Sequence, residues 1–326
     1  MNNRGLLDLI ISLLPGISVT EKIKMSDNFN NEDELFINTK RQIESFLGRS
    51  LNKFWEINDV RDKADKIDTI CKMRSIKWVS WTSSSYPPLL REIYDPPSVI
   101  FYMGQLPNPE KSLLGMVGKR NPSPQAASHA YKLSFGAGQG GISVISGLAI
   151  GIDTMSHRGN LVSCSPGYAV LGSGIDQIYP SSNRQLAKRL LDSGGAVISE
   201  YPPGVRPGKW TFPARNRIIS ALSRSVLIVE APQKSGALIT ASFALEQGRD
   251  LWVASAGLLK DGSVFDRRGT IKLAEDGAEI IHSPQEIFEK WNMREKIIIE
   301  KKTVYINDKA SGQIASSMAN FLEIEI

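Results

Sequence analysis

LLGMVGKRNPSPQAASHAYKLSFGAGQGGISVISGLAIGIDTMSHRGNLVSCSPGYAVLGSGID, residues 113–176, holds the pattern that decides the fold. Three short apolar runs, LLGMVG (113–118), ISVIS (142–146) and YAVLG (168–172), are separated by stretches long enough for helices, such as Pro122 to Phe135. A strand covered by helices on both faces has no polar side, so it reads as a continuous apolar run. Strands that alternate with helices predict parallel βαβ units and a doubly wound sheet. The same rhythm continues outward through AVIS (196–199), VLIVE (226–230) and LWVAS (251–255), with helices over Ser182 to Asp192 and Ile239 to Gln247. GAGQGG (136–141) matches the dinucleotide fingerprint in letters only. It follows a helix and precedes a strand, the reverse of what the fingerprint needs, and so reads as a helix C-terminal turn.

Where the glycines fall says more than their number. Four strands lead into VGKR (117–120), SGLAIGID (146–153), GSGID (172–176) and a loop ending SGALITA (235–241). In a parallel sheet all four gather on the carboxyl edge, where such sheets bind ligands and helix N-termini offer amides to anions. Glycine lets a phosphate approach that backbone closely.

Charge is concentrated too. The chain carries 39 Lys plus Arg against 34 Asp plus Glu, a net +5. Between Arg184 and Arg224 stand eight basic residues against only Asp192 and Glu200, a local +6. Within that window KWTFPARNR (209–217) mixes cations with Trp210 and Phe212. Cations neutralise phosphates and aromatic faces stack on bases at about 1–3 kcal/mol each, a combination suited to single-stranded nucleic acid. Composition equally allows Trp210 and Phe212 to be core residues under a long loop, with the arginines merely solvated.

The remaining composition bounds the function. Cys71 and Cys164 form no CxxC pair, and His129, His157 and His282 are scattered, so neither a disulfide framework nor a zinc site is expected. There is no GxxxxGK[ST] and no GxSxG, hence no P-loop and no nucleophile elbow. GLLDLIISLLPG (5–16) is interrupted by Asp8 and reads as a short amphipathic helix ending at Pro15-Gly16 rather than a signal peptide. No run reaches the roughly 18 apolar residues of a membrane span, so a cytoplasmic protein is expected. Asp153 and His157, four apart at a helix start, read as a structural pair. Residues 1–81 are expected to form an N-terminal helical region, 82–290 the sheet domain, and 291–326 a C-terminal appendage.

The set of loops resembles the DNA-processing protein A family (DprA, also called Smf). Tyr86-Pro87 through Pro96-Pro97 and Gly104 come first, followed by VGKR, SGLAIGID with His157, and GSGID with Tyr179-Pro180 and Asn183. Ser199-Glu200, FPARNRIIS (212–220), SGALITA, and Glu246 with Gly248-Arg249 complete the pattern. The family's usual Pro-Gly stands here as Ser255-Ala256-Gly257, and ASGQIASSMANFLEIEI (310–326) resembles only part of the winged helix that many members carry.

The resemblance implies an α/β, extended Rossmann-like domain that binds single-stranded DNA and no cofactor. It implies a non-enzyme that acts as a homodimer and loads a RecA-type recombinase during natural transformation. Carried over by position, the strand contacts would be Arg120, Lys209, Phe212, Arg215 and Arg217. A phosphate pocket would be lined by Gly118, Ser146, Gly147, Gly172, Gly174, Ser235 and Gly236. Arg215 and Arg217 are then expected to point into the trough at the rim, and their joint replacement by Ala to abolish single-strand binding while leaving the fold intact. Neutralising about five phosphates would give a slope of log K on log salt near −3.5. Two alternatives remain on the same fold. One is a phosphoribohydrolase-like enzyme using Glu200 or His157, although the PGGxGTxxE signature is absent; the other is a nucleotide-sensing module.

Overall fold

The computed structural model describes Arg4 and residues 6–38, 40–51, 56–259 and 264–293. They belong to one compact unit, Met1–Arg294. Phe54, Trp55 and nearly all of the C-terminal appendage lie outside the described residues.

Helices α1 (Leu7–Leu13), α2 (Val19–Asn28), α3 (Glu32–Ile37), α4 (Lys40–Leu47) and α5 (Ile57–Met73) come first. Ser18 caps α2 in a reciprocal capping box with Glu21, satisfying two amides that a helix start leaves open. In α1, Leu7, Leu9, Ile10 and Ile11 are fully buried. Asp8, which interrupts that apolar run, accepts hydrogen bonds from Ser80 Oγ at 2.6 Å and Thr82 Oγ1 at 2.5 Å. The carboxylate ties this helix to the end of the first strand.

The remaining chain follows the order β1 (Lys77–Ser80), α6 (Pro88–Arg91), β2 (Val99–Gly104), β3 (Leu113–Val117), α7 (Pro124–Gln139), β4 (Ser143–Ser146), α8 (Ile152–Val162) and β5 (Tyr168–Leu171). It continues through α9 (Arg184–Asp192), β6 (Ala196–Ser199), α10 (Thr211–Ala221), β7 (Ser225–Ile228), α11 (Gly236–Glu246), β8 (Asp250–Ala254), α12 (Arg268–Glu275), β9 (Glu279–Ile281) and α13 (Pro284–Lys290).

The strands form one nine-stranded sheet, ordered β1-β2-β6-β5-β4-β3-β7-β8-β9. From β6 to β9 every pairing is parallel, for example Leu114 opposite Ser225 and Val117 opposite Ile228. Only β1–β2 and β2–β6 are antiparallel. The expected doubly wound, mostly parallel sheet is therefore what the chain builds, and the six strands read from the apolar runs are all present.

Three strands escaped that reading. β1 and β2 pair antiparallel at one edge, and β9 is three residues with two exposed at the other. The chain winds outward from β3 in both directions, so the sheet's switch point lies between β3 and β7.

GAGQGG does hold the expected helix C-terminal turn, but only in its last residues. Gly136 and Gly138 lie inside α7, which runs on to Gln139 before Gly141 turns at φ +82°. A methyl group at Gly136, Gly138 or Gly140 would overlap Pro284, Ser163 or Phe288 respectively. Glycine here lets α8 and α13 close onto α7.

Candidate nucleic-acid interface

At the switch point, on the carboxyl rim, lies a cleft of about 650 Å³. Its walls come from the loops after β3, β4, β5, β6 and β7. The VGKR loop is pinned from both sides: Lys119 N donates to Glu230 O at 2.8 Å, and Ile152 N donates to Lys119 O at 3.2 Å. Glu230 is fully buried and accepts from Ser123 N at 3.0 Å, Ser123 Oγ at 2.5 Å and Arg267 Nε at 3.2 Å. That anchor leaves the next residue, Arg120, exposed on the lip of the cleft. Its guanidinium sits 5.7 Å from the centroid of the Phe212 ring, a cation–π distance. Phe212 in turn packs against Tyr179 at 5.6 Å between centroids.

The SGLAIGID loop is folded by Asp153, whose Oδ2 accepts from Gly147 N at 3.1 Å and Ala149 N at 3.2 Å. Burial pushes the Asp153 carboxyl upward, while the neighbouring Arg215 pulls it back. His157 does not pair with Asp153. Its ring is fully buried with neither nitrogen hydrogen-bonded, and burial lowers it to about 3. The expected Asp–His pair is thus replaced by Asp–amide bonds that shape a loop.

The KWTFPARNR segment is helical from Thr211, and this separates its two arginines. Residues two apart on a helix face different sides. Arg215 lines the floor of the cleft, and its Nη1 donates to Gly147 O at 2.7 Å and also to Val170 O. Burial lowers this guanidinium to about 10.

Arg217 points the other way and does not line the cleft. It makes a two-pronged pair with Glu200 at 2.9 and 2.7 Å and bonds Asp95 Oδ2 at 3.0 Å. The expectation that both arginines point into the rim trough and could be removed without loss of the fold is corrected: Arg215 is in the cleft floor, while Arg217 is salt-bridged away from it. Arg215 satisfies two backbone carbonyls of the cleft floor, and Arg217, itself buried, is held by the part-exposed carboxylates of Glu200 and Asp95. Glu200, one of the two groups considered for acid–base work, is held in that ion pair.

The other candidates divide similarly. Gly118, Lys209, Phe212, Ser235 and Gly236 line the cleft. Ser235 Oγ is buried with no hydrogen-bond partner among the described residues, and the first turn of α11 opens beside it. Lys209 is exposed and in no ion pair among the described residues. Trp210 is 86% exposed, which removes it from the core.

Ser146, Gly172 and Gly174 stand behind the wall. Ser146 Oγ donates to Met116 O at 2.6 Å, and Gly174 N donates to Val205 O at 2.7 Å. Gly172 leaves room for Phe212, since a Cβ there would lie 2.7 Å from Phe212 Cδ1. Gly147 lines only a small side pocket and is covered by Arg215.

Two residues of the site were not singled out from sequence. Tyr179 was quoted only as part of a motif, and it forms the aromatic lip. Glu230 was passed over, although a lone carboxylate ending the apolar run VLIVE was the available signal. Asp153 is the only carboxylate among the described lining residues, and its Oδ2 is taken by two amides. Of the lining cations Lys119 lies 3.9 Å from the buried Glu230, while Arg120 and Lys209 are in no ion pair among the described residues. The cleft is an electropositive, aromatic-lipped trough.

Comparison with known proteins agrees with this geometry. Residues 77–292 match the family model described as DNA recombination-mediator protein A. The chain is similar to Protein Smf of Synechocystis, 42% identical over 206 residues, covering 62% of this chain and 50% of that protein. The chain therefore spans half the length of that relative.

It is also similar to the crystal structure of DNA processing protein A from Streptococcus pneumoniae, with TM-score 0.69 and 30% identity, covering 89% of this chain and 98% of that one. A DNA processing protein A structure from Helicobacter pylori, described for its single-stranded DNA binding mode, matches with TM-score 0.57 and 25% identity, covering 66% and 96%. With the family pattern extending over the whole sheet domain and the cleft built from its loops, the chain belongs to the DNA recombination-mediator protein A family.

Proposed function

We propose that the protein binds single-stranded DNA in the carboxyl-rim cleft. The observation that carries this reading is the pair of cations, Arg120 and Lys209, in no ion pair among the described residues and flanking the Phe212–Tyr179 aromatic lip. Arg120 and Lys209 contact phosphates. Gly118, Ser235 and Gly236 offer amides and a hydroxyl to one of them at the start of α11. Phe212 stacks on a base, and Arg215 serves as a fixed charge in the floor.

Arg217 is not assigned a contact, because Glu200 and Asp95 already occupy it. Contacts of this kind carry little sequence information, so binding is nearly sequence-independent. The Helicobacter pylori relative, described as binding single-stranded DNA, supports the reading.

The role is non-catalytic: Glu200 is ion-paired and His157 is sequestered from solvent. Family membership supports the wider role, in which a cytoplasmic homodimer protects incoming strands during natural transformation and loads a RecA-type recombinase on them.

The two phosphate-contacting cations give a slope of log K on log salt near about −1.4, at about 0.7 per phosphate. A fluorescence-anisotropy titration of oligo-dT over a salt series measures it. No binding at low salt, or a flat response, refutes the reading.

A further inference from the structure

We propose that a bound strand leaving the cleft continues across the solvent face of α9 and the adjoining part of α8. This extended backbone path deepens the single-strand reading and rests on it.

The face is made by Arg184, Lys188 and Arg189 of α9, with Arg158 exposed on α8 beside it. None of the four is in an ion pair or side-chain hydrogen bond among the described residues. The surroundings offer them almost no carboxylate. Helix α7 contains no Asp or Glu, the one acid of α8 is the buried Asp153, and α9 has only Asp192 at its last residue. Arg189 is close enough to act electrostatically on Tyr131 of α7.

Folding alone does not explain this arrangement. Arg184 and Lys188 are four apart, a spacing at which like charges repel, and Arg184 sits at the helix start, where the backbone dipole disfavours a cation. The buried side of α9, Leu186, Ala187 and Leu190, already supplies its packing. A polyanion is the ligand whose charge offsets both penalties.

The path is continuous with the cleft. Tyr179 forms the lip, and Arg184 opens α9 five residues later. Asn183 between them donates from Nδ2 to Leu148 O and to Thr154 Oγ1, both at 2.9 Å, which locks the start of α9 to the SGLAIGID loop. From there α9 runs about 13 Å away from the rim, at 1.5 Å per residue.

The test compares the full chain with the variant Arg184→Ala/Lys188→Ala/Arg189→Ala, using oligo-dT of about three and about twenty-five nucleotides. All three side chains are exposed, and an unchanged thermal melt checks the fold. The three-mer, short enough to stay in the cleft of about 650 Å³, is expected to bind both proteins within about twofold. The longer strand is expected to lose about 2 from its salt slope, at about 0.7 per phosphate, and up to about a hundredfold in affinity at 0.1 M salt. A charge-keeping variant, Arg184→Lys/Arg189→Lys, retains the slope.

An unchanged slope and affinity for the longer strand overturn the proposal and leave the face to another polyanion, such as an acidic protein segment. Equal weakening for both lengths overturns it too, by placing the effect in the cleft. A wild-type chain that binds neither length refutes the single-strand reading itself.

Discussion

Replacing Arg217 separates a structural arginine from a DNA-contacting one. Its guanidinium is 6% exposed and bonds both oxygens of Glu200, Asp95 Oδ2 and the Ala214 carbonyl. Removing one partner of a buried ion pair costs about 3–5 kcal/mol, because the other charge stays behind uncompensated. Here Glu200 is 21% and Asp95 49% exposed, so water re-solvates part of the deficit. We expect Arg217→Ala to destabilise by about 2–3 kcal/mol, equivalent to roughly 5–10 °C in Tm.

Glu200→Gln keeps the Asp95 contact and is expected to cost less. The double variant should cost much less than the two single changes together, the signature of a direct pair. Urea unfolding of the four proteins gives the cycle, and oligo-dT affinity below the melting range gives the second readout. Arg217→Ala with native stability but lost binding would refute the assignment and return Arg217 to the strand.

Arg120→Ala is expected to leave stability within about 0.5 kcal/mol, since the side chain is exposed and in no ion pair among the described residues, and to lower the salt slope by about 0.7; a salt-series titration with a parallel melt checks both. Gly172→Ala drives a methyl against Phe212 Cδ1 and Cα. Overpacking there should cost about 1–3 kcal/mol and weaken oligonucleotide binding by displacing the stacking ring, read by denaturation and anisotropy together.

His157 carries a pH signature. Burial lowers its folded value to about 3, below the usual 6.5 of a histidine, so the native state binds fewer protons than the unfolded chain between those limits. Stability from this group is complete above pH 6.5 and falls by up to about 1.4 kcal/mol per unit as pH drops toward 3. In the His157→Leu variant this share of the pH slope of the urea midpoint disappears; identical slopes in the two proteins would show that His157 takes up its proton while folded.

The cleft's location was legible before any coordinates. Parallel strands put every strand-to-helix loop on one rim, so VGKR, SGLAIGID and SGALITA had to converge once the βαβ rhythm was read. The edge strands were not legible, because Lys77–Ser80 and Glu279–Ile281 are short and partly exposed, with too few apolar positions to show a pattern. Glu230 hid in the same way, as one polar residue whose importance depends on three donors from distant parts of the chain.

The amino-acid order by itself determined the doubly wound sheet, the rim on which its glycine loops meet, and the excess of positive charge between Arg184 and Arg224. Tertiary structure decided which of those charges face solvent. Once Thr211–Ala221 is a helix, Arg215 and Arg217 cannot share a side. One turns onto the carbonyls of Gly147 and Val170, and the other onto Glu200 and Asp95. Composition counts charges; only packing determines which acceptors a buried guanidinium must satisfy, and those acceptors, 17 to 122 residues away in the chain, leave no local trace.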